Sequence, residues 1–141
     1  MIHMKLAHIK LQVGVKILLK NKTGQFLLLR RSAEKYPKTD GVWDIVGGRI
    51  NIGVDLINNL RREIKEETGL EYQGEPLLIA AQDILRPDKH VVRLTYQGEI
   101  EGVPVLNDES SECKWASISE MEQMKDLDVF VAELIQKNLV M

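Results

Sequence analysis

The feature that most constrains this chain is an acidic helix predicted within residues 48–70, GRINIGVDLINNLRREIKEETGL. At 100° per residue, Glu63, Glu66 and Glu67 fall within about 100° of one another around the helix axis. They lie along the edge of the apolar stripe rather than in the middle of the polar face. Carboxylates crowded beside apolar surface repel one another and lose solvation, which is unfavourable unless a cation joins them.

Two interpretations of this helix are open from its residues alone. An acidic helix face is often solvated surface, and here Arg62 is spaced to pair with Glu66 four residues later. Alternatively, the glutamates bind a divalent cation, since hard oxygen donors without His or Cys suit Mg²⁺ or Mn²⁺.

The residues around the glutamates favour the second interpretation, because together they resemble the Nudix box. That pattern is a glycine, five residues, a glutamate, seven residues, and then Arg-Glu-apolar-x-Glu-Glu-x-Gly-apolar. The matching positions are Gly48, Arg62, Glu63, Ile64, Glu66, Glu67, Gly69 and Leu70. The exception is Val54, which stands where the family pattern has glutamate, with Asp55 directly after it.

The resemblance to the Nudix family implies a role for each polar position. Glu63, Glu66 and Glu67 are expected to bind the metal, together with the backbone carbonyl of Gly48. The resemblance also implies that Glu63 and Arg62 are catalytic residues. In the family this arginine orients a carboxylate through a salt bridge rather than touching the substrate.

Two further assignments concern residues outside the matching positions. In the family, the glutamate replaced here by Val54 supports the box arginine or the outer metal shell, and we expect Asp55 to take over that support. Some members place a catalytic base six residues before the tryptophan of a late strand, which here is Glu109 before Trp115. Glu112 is the alternative base. We prefer Glu109 because Glu112 is predicted to begin a strand.

Substrate contacts are predicted at two places. A strand predicted over residues 25–31 ends in Arg30 and Arg31, and two adjacent cations can bind a phosphate, although a basic strand end can also be solvated surface. Gly47 precedes the first box glycine, and glycine lets a backbone approach a ligand closely.

The remaining pattern predicts an α/β (α+β) fold in a single domain over residues 1–141. The helix of the box should begin near Asp55, and Ser119 should cap a later helix. The predicted elements are strands at 7–19, 25–31, 43–46, 77–85, 90–100 and 112–117, a loop at 32–42, and helices from 121 and over 129–140. The resemblance implies a Nudix-type mixed β-sheet sandwiched between helices.

Composition excludes several other classes of protein. A net charge of -2 predicts no general nucleic-acid surface, and the single cysteine, Cys113, fits a reducing, cytoplasmic environment. Residues 1–10 lack the long apolar run of a signal peptide, and the apolar stretch 13–19 is too short to span a membrane.

The leading functional hypothesis is therefore a Mg²⁺- or Mn²⁺-dependent Nudix pyrophosphohydrolase with a small-molecule nucleotide substrate. The favoured reaction converts a nucleoside triphosphate to a nucleoside monophosphate and pyrophosphate. ADP-ribose, nucleotide sugars and dinucleoside polyphosphates are alternative substrates. A non-hydrolytic, nucleotide-binding regulatory module is the alternative from another class, motivated by Val54. A homodimer is compatible with the resemblance, since dimers are common in the family.

Overall fold

The computed structural model describes residues 8–38 and 42–141. Residues 1–7 of the stretch weighed against a signal peptide, the first residue of the strand predicted at 7–19, and part of the predicted loop 32–42 therefore lie outside the described residues. The strands β1 to β7 are Lys10–Lys20, Phe26–Arg31, Trp43–Asp44, Val46–Arg49, Leu77–Arg86, Lys89–Glu99 and Ser110–Ala116. The helices, labelled α1 to α3 in chain order, are Leu56–Thr68, Ile118–Gln123 and Val129–Gln136.

Strand β1 is central to the mixed sheet. It pairs in parallel with β6 along Lys10–Lys20 and antiparallel with β4 from Gly14 to Ile17. Strand β6 continues the sheet to β5, while β2 pairs with both β3 and β7. The pairing of β4 with β1 fixes the glycine pair of the box beside the middle of the sheet.

The two faces of the sheet are covered by different helices. Successive side chains of a strand point to opposite faces. Accordingly, Ile17 packs with Leu60 and Ile64 of α1, whereas Leu18 packs in a second cluster with Leu134 of α3. The sheet is therefore sandwiched between helices, and the predicted fold class is confirmed.

Three local predictions differ from the structure. The strand predicted at 43–46 is two short strands, β3 and β4, which pair with different neighbours. Helix α2 is capped by Ser117 rather than Ser119, because Ser117 and Glu120 form a reciprocal capping box. Helix α3 ends at Gln136, short of the predicted end. Within the described part of the chain, no helix combines the length and apolar character needed to cross a membrane.

Candidate functional site

Helix α1 carries the predicted glutamates, and local contacts fix both of its ends. The Asp55 carboxylate accepts a hydrogen bond from the Asn58 N–H at 2.8 Å, and Gly69 adopts φ 72° after the last turn. Leu60 and Ile64 are fully buried against the sheet. This burial sets the rotation of the helix and holds its acidic flank at the edge of β4.

The glycine pair of β4 makes direct contact with this flank. The Gly47 N–H donates to Oε2 of Glu67 at 2.8 Å. Gly47 has φ 142°, and a Cβ there would lie 2.0 Å from the Val15 carbonyl oxygen. A Cβ on Gly48 would lie 2.9 Å from the Glu63 carboxylate. Gly47 therefore has to be glycine for β4 to pair this closely with β1, and Gly48 has to be glycine for the Glu63 carboxylate to approach β4 this closely.

Arg62 is held by side-chain and backbone oxygens around its guanidinium. Nη2 donates to Oε1 of Glu63 at 2.9 Å and to the Arg49 carbonyl at 3.2 Å. Nη1 donates to Oδ1 of Asn59 at 2.7 Å, and Nε lies 3.7 Å from Oε1 of Glu66. The shortest contact of Arg62 with a carboxylate is therefore to Glu63.

A cavity of about 640 Å³ lies against the acidic flank of α1. The predicted residues that line it are Arg31, Gly47, Gly48, Arg62, Glu63, Glu66, Glu67 and Glu109. The Glu63 side chain is 12% exposed, whereas that of Glu66 is 55% exposed. The cavity thus brings residues from β2, β4, α1 and the segment before β7 to one space.

Three other candidates lie elsewhere among the described residues. Nη1 of Arg30 donates to Oε1 of Glu112 at 3.0 Å in an exposed pair. Neither side chain lines the cavity. The two carboxylate oxygens of Asp55 accept from the backbone and side-chain nitrogens of Asn58. The Asp55 carboxylate is therefore engaged in capping α1.

A buried group of charges, which the sequence analysis missed, forms another part of the cavity wall. The Asp44 carboxylate accepts from Nζ of Lys16 at 3.2 Å, Nη2 of Arg31 at 2.5 Å and Nη2 of Arg93 at 3.1 Å. Nη2 of Arg93 also lies 3.2 Å from Asp128. Burial alone would raise the pKa of Asp44, but the three cations hold this pKa well below its usual range. Burial, with repulsion from Asp44, raises the pKa of Asp128.

Within this group, Arg31 is the cation best placed to meet a ligand. The Lys16 ammonium has three donors, and its contacts are to Asp44 and to two backbone carbonyls. The Arg93 side chain is 4% exposed. The Arg31 side chain is 27% exposed and reaches Asp44 and Asp128 through the same nitrogen. Its other guanidinium nitrogens make no hydrogen bond or ion pair with another described residue, so they can meet a ligand in the cavity.

The donor chemistry of the acidic residues fits a divalent cation. Burial raises the pKa of Glu67 despite the attraction of Lys16, and repulsion from Glu63 and Glu109 adds to the increase. A hard cation would relieve this repulsion. Among the described residues, no three His, Cys, Asp or Glu side chains already form a metal-binding group. Binding of one cation by Glu63, Glu66 and Glu67 therefore requires their side chains to rearrange.

Two of the missed residues carry a signal in the sequence. Asp44 is a charged residue between Trp43 and Ile45, in an otherwise apolar segment. Asn59 lies about 60° from Arg62 at 100° per residue, on the same flank as the glutamates. The contacts of Lys16 and Arg93 with Asp44 span 28 and 49 residues, and no local pattern indicates them.

Known proteins share both the sequence pattern and the fold. The family model of the NUDIX domain matches residues 10–137. A MutT protein from Methanosarcina mazei Go1 superposes with a TM-score of 0.83 at 27% identity, over 92% of this chain and 93% of that chain. A MutT NUDIX hydrolase from Burkholderia pseudomallei has a TM-score of 0.77 at 20% identity, over 93% and 99% of the two chains.

A more distant neighbour extends the likeness in fold. It is a C. elegans Ap4A hydrolase in a binary complex, with a TM-score of 0.64 at 20% identity, over 89% of this chain and 94% of that chain. No curated protein matches the sequence significantly. Nudix hydrolases act on nucleoside diphosphate derivatives and generally use divalent metal ions. The match over residues 10–137 and the fold it accompanies place this chain in the Nudix family, as a Nudix pyrophosphohydrolase.

Proposed function

We propose that this protein hydrolyses nucleoside triphosphates to a nucleoside monophosphate and pyrophosphate, with Mg²⁺ or Mn²⁺ as cofactor. The observation that carries the proposal is that Glu63, Glu66 and Glu67 share one cavity with Arg31. The carboxylates suit a hard divalent cation, and the guanidinium suits a phosphate oxygen. A triphosphate chain complexed with a cation needs both kinds of group in one space.

The catalytic roles follow from the chemistry of each side chain. The proposed metal ligands are Glu63, Glu66, Glu67 and the Gly48 carbonyl. When bound, a divalent cation neutralises phosphate charge and lowers the pKa of a water molecule. Arg62 orients Glu63, which it contacts at 2.9 Å. Glu109 accepts the proton of the attacking water, whereas Glu112, the alternative base, lies outside the cavity and would act only if its pair with Arg30 opened. The water oxygen bonds to phosphorus, and the anhydride bond breaks with its electron pair leaving on pyrophosphate.

The proposed substrate contacts lie on the other parts of the wall. Arg31 binds a phosphate oxygen, and the Gly47 backbone lets the phosphate chain come close. Arg30 would assist only if its exposed pair with Glu112 opened. Tyr36 also lines the cavity and offers an aromatic ring for a base. The single cysteine suits a reducing compartment, so we propose a cytoplasmic location.

The test is a product analysis on a panel of substrates. The protein is incubated with Mg²⁺ and nucleoside triphosphates, ADP-ribose, nucleotide sugars and dinucleoside polyphosphates, and the products are identified by mass. We expect monophosphate and pyrophosphate in equal amounts from the triphosphates. Glu66→Gln and Glu67→Gln should abolish turnover, while Glu101→Gln, at an exposed pair with Lys22, serves as the control.

Each other outcome has a defined meaning. Faster cleavage of ADP-ribose to AMP and ribose 5-phosphate, or of a dinucleoside polyphosphate to two nucleotides, would replace the proposed substrate. Retained nucleotide binding without any turnover across the panel would replace hydrolysis with the function of a nucleotide-binding module. Full activity of both glutamine variants would refute the proposed metal ligands.

A further inference from the structure

Asn59 is fully buried, yet every hydrogen-bonding position of its amide is used. Nδ2 donates to the carbonyls of Val54 at 2.7 Å and Asp55 at 2.8 Å. Oδ1 accepts from the Asn51 N–H at 2.8 Å and from Nη1 of Arg62 at 2.7 Å. A side-chain amide has two donors and an oxygen that accepts two bonds, so its capacity is filled. Asn59 therefore ties the loop before α1 to the Arg62 guanidinium.

Neither the residue at the glutamate position of the family pattern nor the residue expected to replace that glutamate contacts Arg62 in this way. Val54 is 40% exposed, and its side chain has no hydrogen-bonding atom. Both carboxylate oxygens of Asp55 accept from Asn58. Among the recorded contacts of Arg62 with side-chain oxygens, the one to Asn59 is the shortest.

We propose that Asn59 is a positioning residue that gives Arg62 the support supplied by a glutamate at position 54 in the family pattern. The guanidinium is planar, so holding Nη1 with Asn59 fixes the direction in which Nη2 meets Glu63. The inference rests on the proposed function, because that function makes Glu63 a metal ligand. It explains how the chain departs from the pattern at Val54 while Arg62 remains anchored.

The geometry allows the two arrangements to be exchanged. The Val54 carbonyl is 2.7 Å from Nδ2 of Asn59, and Oδ1 of Asn59 is 2.7 Å from Nη1 of Arg62. The Asn59 amide therefore bridges the backbone of residue 54 and the Arg62 guanidinium. We expect a glutamate at position 54 to extend towards Nη1 into the buried space that Asn59→Ala opens.

The exchange gives a direct test by kinetics. Asn59→Ala is expected to lower kcat for triphosphate hydrolysis by about tenfold or more, with KM changed by less than about threefold, because Arg62 acts on Glu63 rather than on substrate. Val54→Glu added to Asn59→Ala should restore kcat to within about threefold of the original protein. Asn58→Ala, the same substitution at the preceding exposed position, is the matched control and should leave kcat unchanged.

Three results would overturn the proposal. The first is a kcat of Asn59→Ala within twofold of that of the original protein. The second is a loss of kcat in Asn59→Ala that the added Val54→Glu does not recover. The third is an equal loss of kcat in Asn58→Ala. If Asn59→Ala alone does not fold, the proposal requires the double variant Val54→Glu/Asn59→Ala to fold and turn over. A double variant that does neither overturns it.

A second measurement separates this proposal from the proposed function. The urea midpoints of Asn59→Ala, Arg62→Ala and the double variant Asn59→Ala/Arg62→Ala are compared without metal and without nucleotide. We expect the combined midpoint shift to be smaller than the sum of the single shifts, because the two side chains share one contact. Additive shifts would overturn the role of Asn59. If the original protein cleaves no nucleotide, the proposed function fails and this comparison still decides the role of Asn59.

Discussion

Replacing Asp44 with asparagine is expected to destabilise the protein strongly, because three cations would then face only one carboxylate. The side chains of Asp44 and Arg93 are each 4% exposed, and they meet at 3.1 Å. Removing one partner of a buried ion pair costs about 3–5 kcal/mol, since the other charge stays buried without compensation. Lys16 and Arg31 are more exposed, and solvent screening reduces what their contacts add.

We therefore expect the free energy of unfolding to fall by about 3–5 kcal/mol in total. For a domain of this length, that loss corresponds to a Tm lower by about 6–20 °C. Because folded domains are stable by only about 5–15 kcal/mol, this loss is a large part of the total stability. Urea unfolding at 25 °C, followed by circular dichroism at pH 7, measures the loss.

The pH dependence of this loss supplies an independent check. The pKa of Asp44 in the folded protein lies below its unfolded value, which is about 3.9. A carboxylate of this kind contributes its full stabilisation above the unfolded pKa and loses it as pH falls through the folded pKa. The difference between the original protein and Asp44→Asn should therefore be constant from pH 7 to about pH 5 and shrink below about pH 4.

Glu112→Gln is the control for this experiment. It removes a carboxylate that is 55% exposed and lies 3.0 Å from Arg30, on a strand paired with β2. Exposed pairs of this kind contribute at most about 1 kcal/mol. If Asp44→Asn loses no more stability than Glu112→Gln, the buried charges do not hold this part of the cavity wall together.

Two further substitutions test the walls of the cavity. Gly47→Ala should destabilise the fold far more than Gly53→Ala in urea unfolding. The added Cβ would meet a β1 carbonyl oxygen at 2.0 Å at position 47 and open space at position 53. Both glycines have positive φ, so equal losses of stability would mean that β4 can move away from β1. Arg31→Ala should raise KM for a nucleoside triphosphate by about tenfold or more, since it removes a charge-assisted contact to phosphate. Arg30→Ala should raise KM less. A larger increase in KM for Arg30→Ala than for Arg31→Ala would assign phosphate binding to Arg30.

The sequence predicts the elements whose determinants are local. Asp55 and Gly69 mark the ends of α1 because N-caps and left-handed C-terminal glycines act within one turn. Alternation within residues 7–19 predicts a strand, and the structure has β1 at Lys10–Lys20. The separation of β3 from β4 escapes prediction, because β3 pairs with β2 and β4 pairs with β1, and these tertiary pairings leave no local pattern in residues 43–46.

The same distinction applies to the site. The spacing of Glu63 and Glu67 indicates a shared helix flank, and both line the cavity. The position of Asp44 in the sequence marks an unusual residue, but its partners come from β1, β2 and β6, and only the assembled sheet brings them together. Long-range ion pairs have no sequence period, so this wall could not be predicted from one chain.

The buried charges also connect the end of the chain to the cavity. Asp128 caps α3 by accepting hydrogen bonds from the Phe130 and Val131 N–H groups, and its carboxylate lies 3.2 Å from Nη2 of Arg93. Arg93 contacts Asp44 through the same nitrogen, and Asp44 holds Arg31. The N-terminus of α3 and the proposed phosphate-binding arginine therefore share one set of ion pairs. A change that displaces α3 should thus alter the position of Arg31 even though α3 itself does not line the cavity.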